Sequence, residues 1–358
     1  MQPCQFAPFR RCLTRWYRKN ARPLPWRNLD DPYLVWVSEI MLQQTTTQTV
    51  RGYFNRFINA FPSIQALADA DIDSVSRHWE GLGYYRRCAL LHQAANEIIV
   101  RFDGKFPDNF HDVRSLPGIG RYTAGAILSI TFDQRLPILE ANTLRLHARL
   151  LAERENILRG PANARLWRFA EDILPCRHSG RFNQALMELG SLVCTPKSPK
   201  CDECPVMFFC ESARRGLQNE IPTPQTKPQK ELRTEAALLV RKRDKTLLIR
   251  YPQGRRWAGL WDFPRAQMQA ETPQMLFTDT ILQDRLSELT GRRLIPQKLI
   301  CSLKHSVTKY RITLFFCEGI DVGRADVAAQ CEIRWVTASE MRELPLNSTA
   351  RKLVQRDH

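Results

Sequence analysis

The chain has 358 residues, enough for two or three domains with real cores, and a net charge of +16 from 53 Lys and Arg against 37 Asp and Glu. The surplus points to a polyanion, nucleic acid first and an anionic membrane surface second; residues 1–232 and 233–358 carry +8 each, so it is not a charged tail. No stretch approaches the 18 or more apolar residues of a membrane span, and the polar, basic start from Met1 to Arg22 excludes a signal core.

In chain order, residues 1–215 read as helical. Apolar residues recur three and four apart in Val35-Trp36…Ile40, in Ala89-Leu90-Leu91…Ala94-Ala95…Ile98 and in Leu166-Trp167…Ala170…Ile173, with Pro, Gly and Asp between the runs. Leu116-Pro117-Gly118-Ile119-Gly120-Arg121-Tyr122 carries a hairpin between two helices. Its backbone N–H groups and the helix start behind it suit a phosphate, and Gly118 and Gly120 permit close approach of a DNA backbone. Twenty residues on, Glu140 stands in Pro137-Ile-Leu-Glu-Ala-Asn142, ahead of a helix expected to begin near Thr143 with Asn142 as its N-cap.

Cys194, Cys201, Cys204 and Cys210 follow in the spacing C-x6-C-x2-C-x5-C. The C-x2-C core sets two sulfurs on one face of a tight turn and the flanking cysteines complete a set of four. Zinc ribbons usually pair two such knuckles, so a single one favours a [4Fe–4S] cluster. Seven further cysteines lack framework spacing, which suggests reduced thiols and a cytosolic, nucleoid-facing compartment.

At Gln218–Lys230 three prolines with polar spacers make an extended linker. Short β-branched or alternating runs then appear at Ala236–Val240, Leu247–Ile249, Arg311–Phe316 and Glu332–Val336, with one helical stretch at Met275–Leu289. The domain reading is a helical catalytic domain over 1–216 including a cluster loop at 194–210, a linker over 217–232, and an α+β domain over 233–358.

Hairpin, downstream carboxylate and cysteine spacing together resemble the helix–hairpin–helix DNA glycosylases that carry an iron–sulfur cluster. Pro25-Trp26-Arg27, Val37-Ser38-Glu39-Ile40-Met41-Leu42-Gln43-Gln44-Thr45 and Gly81-Leu82-Gly83-Tyr84-Tyr85-Arg86 further resemble the MutY-type adenine glycosylases. The resemblance implies a mainly α helix–hairpin–helix glycosylase domain with a [4Fe–4S] cluster loop, joined to an α+β Nudix-like C-terminal domain. It implies a monomeric enzyme that removes adenine mispaired with 8-oxoguanine or guanine from double-stranded DNA by hydrolysis of the N-glycosidic bond.

By that resemblance Glu39 protonates adenine N7, and Glu140 stabilises the sugar cation or attacks it. Asn142 belongs to the same catalytic loop. Trp26 and Arg27 line the adenine pocket, Leu42 lies with the DNA contacts, and Gln44 and Tyr84 match the wedge that probes the duplex. Tyr122 stands where bifunctional relatives of the endonuclease III kind carry a Schiff-base lysine, which implies a monofunctional enzyme.

Two departures stand out. The family pattern Asp-Gly-Asn is replaced by Glu140-Ala141-Asn142, so the carboxylate gains a methylene and Ala141 lacks the positive φ open to Gly. In the C-terminal domain, Trp257-Ala-Gly-Leu-Trp-Asp-Phe-Pro264 resembles the opening of the lesion-reading module, but Asp284–Gly291 lacks the acidic set of a Nudix hydrolase. The lesion-reading Phe-Ser-His is replaced by Val307-Thr308-Lys309, where Thr308 keeps a hydroxyl.

Overall fold

The computed structural model describes residues 1–223, 229–252, 254–269 and 273–355, so part of the expected linker lies outside the described residues. Helices run from α1 (Phe6–Asn20) through α2 (Pro32–Leu42), α3 (Thr47–Ala60), α4 (Ile64–Asp69), α5 (Ile72–Trp79), α6 (Arg86–Phe102) and α7 (Phe110–Ser115). They continue with α8 (Arg121–Phe132), α9 (Ala141–Leu151), α10 (Gly160–Asp172), α11 (Ser179–Leu192) and the single turn α12 (Glu211–Arg214). Side chains of Asp31, Thr46, Ser63, Asp71 and Asn109 accept N–H bonds at the starts of α2, α3, α4, α5 and α7, satisfying groups the helices leave open.

Two compact units emerge. The first joins Met1–Ala70 to Ala89–Thr226, and the second joins Asp71–Cys88 to Lys227–His358. In the helical unit α2 packs against α3 and α8, and α11 against α1, α8 and α9. Every residue from Val35 to Met41 is buried, which is why that segment shows an apolar run rather than a single stripe. Among the described residues, no helix is long and apolar enough to cross a membrane.

The second unit adds α13 (Thr280–Thr290), α14 (Ala338–Glu343) and α15 (Ser348–Val354) to seven strands: β1 (Glu231–Lys242), β2 (Lys245–Arg250), β3 (Trp261–Asp262), β4 (Arg265–Gln267), β5 (Arg292–Val307), β6 (Tyr310–Arg324) and β7 (Glu332–Thr337). The order β3-β2-β1-β6-β5 is antiparallel except for the parallel β1–β6 pair, with β4 beside β1 and β7 beside β2. Alternation along β1 feeds two cores. Ala236, Leu238 and Val240 pack with Leu282, Leu286 and Leu289 of α13, while Ala237 and Leu239 pack with Ala350 and Leu353 of α15. The α5 segment joins this unit through ion pairs of Asp73 with Arg250 at 2.6 Å and of Glu80 with Arg351 at 2.5 Å.

The structure extends the sequence-derived strands and adds β3, β4 and β5. β5 escapes a period-2 search because Pro296 and basic residues interrupt it, and the ladder shifts register between Pro296 and Lys298 and between Leu299 and Cys301. Residues 304–307 belong to this strand, leaving only Thr308 and Lys309 as the loop. The helix expected from Met275 begins as α13 at Thr280, capped by Asp279, whose side chain accepts from Leu282 N.

Candidate functional site

Glu39 sits on α2 between Ser38 and Ile40, 5 % exposed, facing a cavity of about 710 Å³. Opposite it, the Leu116–Gly120 hairpin launches α8. Gly118 turns with φ 78° against Leu90, a conformation open to Gly, and Gly120 forms the cap. Tyr122 is therefore the second residue of α8, and its hydroxyl donates to Glu39 Oε2 at 2.7 Å. Burial pushes the Glu39 carboxyl up to about 7; the Tyr122 hydrogen bond opposes the shift and the charge of Glu140 adds to it. Among the described residues no ion pair engages Glu39, so nothing offsets its desolvation with a positive charge.

The start of α9 corrects one expectation. The N-cap is Glu140, not Asn142, and the helix begins at Ala141. The Glu140 carboxylate accepts from Asn142 N at 2.8 Å, Thr143 N at 2.9 Å and Asn142 Nδ2 at 3.2 Å, while Thr143 Oγ1 accepts from Glu140 N at 2.8 Å. A longer acidic side chain at this position folds back over the helix N-terminus and satisfies its first N–H groups. Ala141 then takes helical backbone and needs no positive φ, so the missing glycine is accommodated. Burial still raises the Glu140 carboxyl above its ordinary value, against the bonds from Asn142 and Thr143. Asn142 is oriented from behind by Arg145, which donates to Asn142 Oδ1 at 3.1 Å and to Gly190 O at 2.7 Å.

The rest of the cavity wall brings together Trp26, Arg27, Leu42, Gln44, Tyr122, Glu140 and Asn142, all named from sequence. Trp26 is buried edge-on to Phe54, with ring centroids 5.6 Å apart. Glu188 of α11 was missed. It is fully buried and grips Arg22 at 2.8 Å and Arg27 at 2.5 Å. Burial alone would raise its carboxyl, but the hydrogen bonds from Arg22 and Arg27 reverse the sign and hold it at about 2. The available signal was a lone carboxylate in the apolar run Phe182–Leu192.

Tyr84 and Thr308 lie in the second unit. Tyr84 is 55 % exposed at φ 50° and is not a core tyrosine. Thr308 is exposed with φ 49° at the tip of the β5–β6 hairpin, and the neighbouring Lys309 pairs with Glu231 at 2.7 Å.

Cys194, Cys201, Cys204 and Cys210 line one small cavity with Arg149, Val206 and Met207. Arg149 donates to Cys194 Sγ at 3.2 Å and Thr195 O at 2.7 Å, setting a positive group beside the sulfurs. Burial pushes the Cys204 thiol up to about 12, so thiolates there require cationic compensation, which cluster irons supply. Four sulfurs lining one cavity fit a [4Fe–4S] cluster, which takes one thiolate for each iron.

Three family models match the chain: an HhH-GPD superfamily base excision DNA repair protein over residues 37–172, the iron–sulfur binding domain of endonuclease III over 194–210, and a NUDIX domain over 236–356. The chain is 36 % identical over 280 residues to the adenine DNA glycosylase of Buchnera aphidicola subsp. Schizaphis graminum, covering 77 % of this chain and 80 % of that one. It is 38 % identical over 269 residues to the adenine DNA glycosylase of Mus musculus, covering 72 % of this chain and 51 % of that one. A thermostable thymine-DNA glycosylase structure superposes with a TM-score of 0.55 at 25 % identity, over 59 % of this chain and 97 % of that one.

Proposed function

From the premise that the chain belongs to the adenine DNA glycosylase family, we propose that it excises adenine opposite 8-oxoguanine or guanine in duplex DNA, and that the cavity between α2, α8, α9 and α11 receives the extruded base. The observation that carries this reading is the buried, cation-free carboxyl of Glu39, raised to about 7 and hydrogen-bonded by Tyr122. A carboxyl at that value keeps a large share of its proton near neutrality and can donate it to a poor leaving group.

The steps follow from the side chains present. The base leaves the stack and enters the cavity. Glu39 gives its proton to adenine N7, and the C1′–N9 bond breaks with its electron pair on the base. Positive charge develops on the sugar, where the Glu140 carboxylate, held by Asn142 and Thr143, faces it. Water adds at C1′ and its proton restores Glu39. No lysine lines the cavity among the described residues, and Tyr122 is buried with its phenol raised by desolvation, so no amine is available for Schiff-base chemistry. That supports a monofunctional enzyme.

Cys194, Cys201, Cys204 and Cys210 hold the [4Fe–4S] cluster, whose role is to order the loop bearing Lys197 and Lys200 near phosphate. Hairpin residues Gly118 and Gly120 receive backbone phosphate, Tyr84 and Gln44 probe the duplex, and Thr308 offers its hydroxyl to the opposite base. The protein works as a monomer in the reducing cytosol.

Single-turnover adenine release from duplexes with A opposite 8-oxoguanine, G, C or T tests the proposal, with cluster-loaded protein and a Glu39→Gln control. Release confined to the two purine partners and lost in the control is expected. Tight binding without release from any duplex overturns it.

A further inference from the structure

The segment Ala21–Asn28 has two sides. Arg22, Leu24, Trp26 and Arg27 line the catalytic cavity. Arg22, Leu24 and Arg27 also line a second cavity of about 760 Å³, open to solvent and lined further by Tyr17 and Arg18 from α1, Arg51 from α3 and Arg181 from α11. Five arginines line this space and no carboxylate does.

The arginines are not equivalent. Arg22 and Arg27 are committed to Glu188 on the catalytic side, at 2.8 and 2.5 Å. Arg27 also lies over the Tyr17 ring at 5.5 Å, and Tyr17 donates to Gln184 Oε1 at 2.8 Å. Arg18, Arg51 and Arg181 have no carboxylate partner among the described residues. Three exposed guanidiniums from three helices line one space, and an anion with several acceptor oxygens can pair with them together. A planar fork suits phosphate oxygens, which accept two N–H bonds from each arginine.

We propose that this second cavity is a phosphodiester subsite, in which Arg18, Arg51 and Arg181 hold backbone phosphate of the substrate strand beside the extruded nucleotide. The inference rests on duplex DNA being the substrate. Because Arg22 and Arg27 form the common wall, a strand anchored there is registered against the base pocket by the same segment that lines it. These three arginines are binding groups and touch no reacting atom.

The test is the salt dependence of duplex binding, measured on cluster-loaded wild type, on Arg51→Gln alone and on the Arg18→Gln/Arg51→Gln/Arg181→Gln triple variant. Each arginine–phosphate pairing removed lowers the slope of log Kd against log salt by about 0.9 on duplex, or about 0.7 if the strand there is unpaired. The single variant is expected to give up about one such pairing and the triple variant up to about three, on mismatched and matched duplexes alike. An unchanged slope in the triple variant, with melting and cluster absorbance intact, overturns the subsite. Calorimetry with pyrophosphate separates the two sources of phosphate: binding by wild type and not by the variant, with the DNA slope unchanged, assigns the cavity to a free anion and overturns the DNA assignment. Absence of adenine release from wild type would instead refute the glycosylase reading and leave the slopes interpretable.

Discussion

Glu39 of the helical unit and Glu235 of the β unit are both buried almost completely and are treated in opposite ways, while Glu188 of the helical unit, gripped by Arg22 and Arg27, follows Glu235. In the helical unit Glu39 meets a phenol and, among the described residues, no cation, and burial lifts it to about 7. In the β unit Glu235 lies between Arg256 and Arg265, each at 2.6 Å; burial pushes its carboxyl up, but the two arginines overrule that and hold it below the ordinary range. Arg256 and Arg265 lie over Trp257 at 4.2 and 4.4 Å, so the carboxylate closes an aromatic–cationic stack. Burial alone does not define a catalytic acid. What distinguishes Glu39 is burial without a counter-charge, which keeps a proton where a leaving group can take it.

The sharpest break in that contrast is Glu39→Gln. It keeps an acceptor for Tyr122 but removes the proton, and adenine release is expected to fall by about 10²–10⁴-fold in single-turnover assays. In the wild type the rate should decline as pH rises through about 7. Stability gives an independent reading with the opposite sign. Because folding raises this pKa, ionised Glu39 destabilises the native state: the penalty starts above the unfolded value near 4.5 and is complete above about 7. Glu39→Gln should therefore be more stable than wild type at pH 8 by something on the order of 3 kcal/mol, and equal to it near pH 4. A melting difference that does not vary with pH would remove the basis for calling Glu39 desolvated.

Glu235→Ala probes the other half of the comparison. It leaves Arg265, 1 % exposed, with Asp262 at 3.9 Å as its one carboxylate neighbour among the described residues, and should cost about 3–5 kcal/mol in the denaturant-induced unfolding of the second unit. At saturating enzyme the adenine release rate should survive. Glu140 falls between the two cases, since its carboxylate is raised by burial yet held by backbone N–H groups. Glu140→Gln retains a cap but not the charge, and release should fall by about 10²-fold; Glu140→Asp should keep or improve it. Full activity in Glu140→Gln would end its role as cation stabiliser.

Legibility in the sequence followed the same division. Local signals carried the hairpin, the four cysteines and the Ser-Glu-Ile-Met-Leu-Gln-Gln-Thr run, because turn glycines, ligand spacing and a contiguous motif are short-range. Glu188 was not legible, since its meaning comes from Arg22 and Arg27, more than 160 positions away in sequence. Asn142 looked like a cap because Asn commonly is one, and a glutamate able to cap its own helix competed successfully for the place. β5 was hidden by Pro296, which a bulge absorbs in three dimensions. Residues 71–88 group with the second unit, where Asp73 and Glu80 pair with Arg250 and Arg351 far along the chain, and no local pattern announces it.

Packing offers a finer version of the comparison, between two glycines in helices of one unit. Gly52 in α3 has nothing within 4 Å of an added Cβ, so Gly52→Ala should stabilise by about 0.5–1 kcal/mol through helix propensity alone. Gly190 in α11 has Asn142 Cβ at 2.8 Å and Asn142 O at 3.0 Å from the same added atom. Neither neighbour is the free end of a flexible chain, so Gly190→Ala must push back the start of α9 and should cost about 1–3 kcal/mol. That start carries both Glu140 and Asn142, and a displacement approaching 1 Å can cost on the order of 10²-fold in rate. The informative quantity is therefore the pair of numbers. A stability loss accompanied by slower release at saturating enzyme means that α11 sets the position of the Glu140 carboxylate. A stability loss with the rate intact means that the cap reforms around the intruding methyl, and that Glu140 is positioned by its own helix.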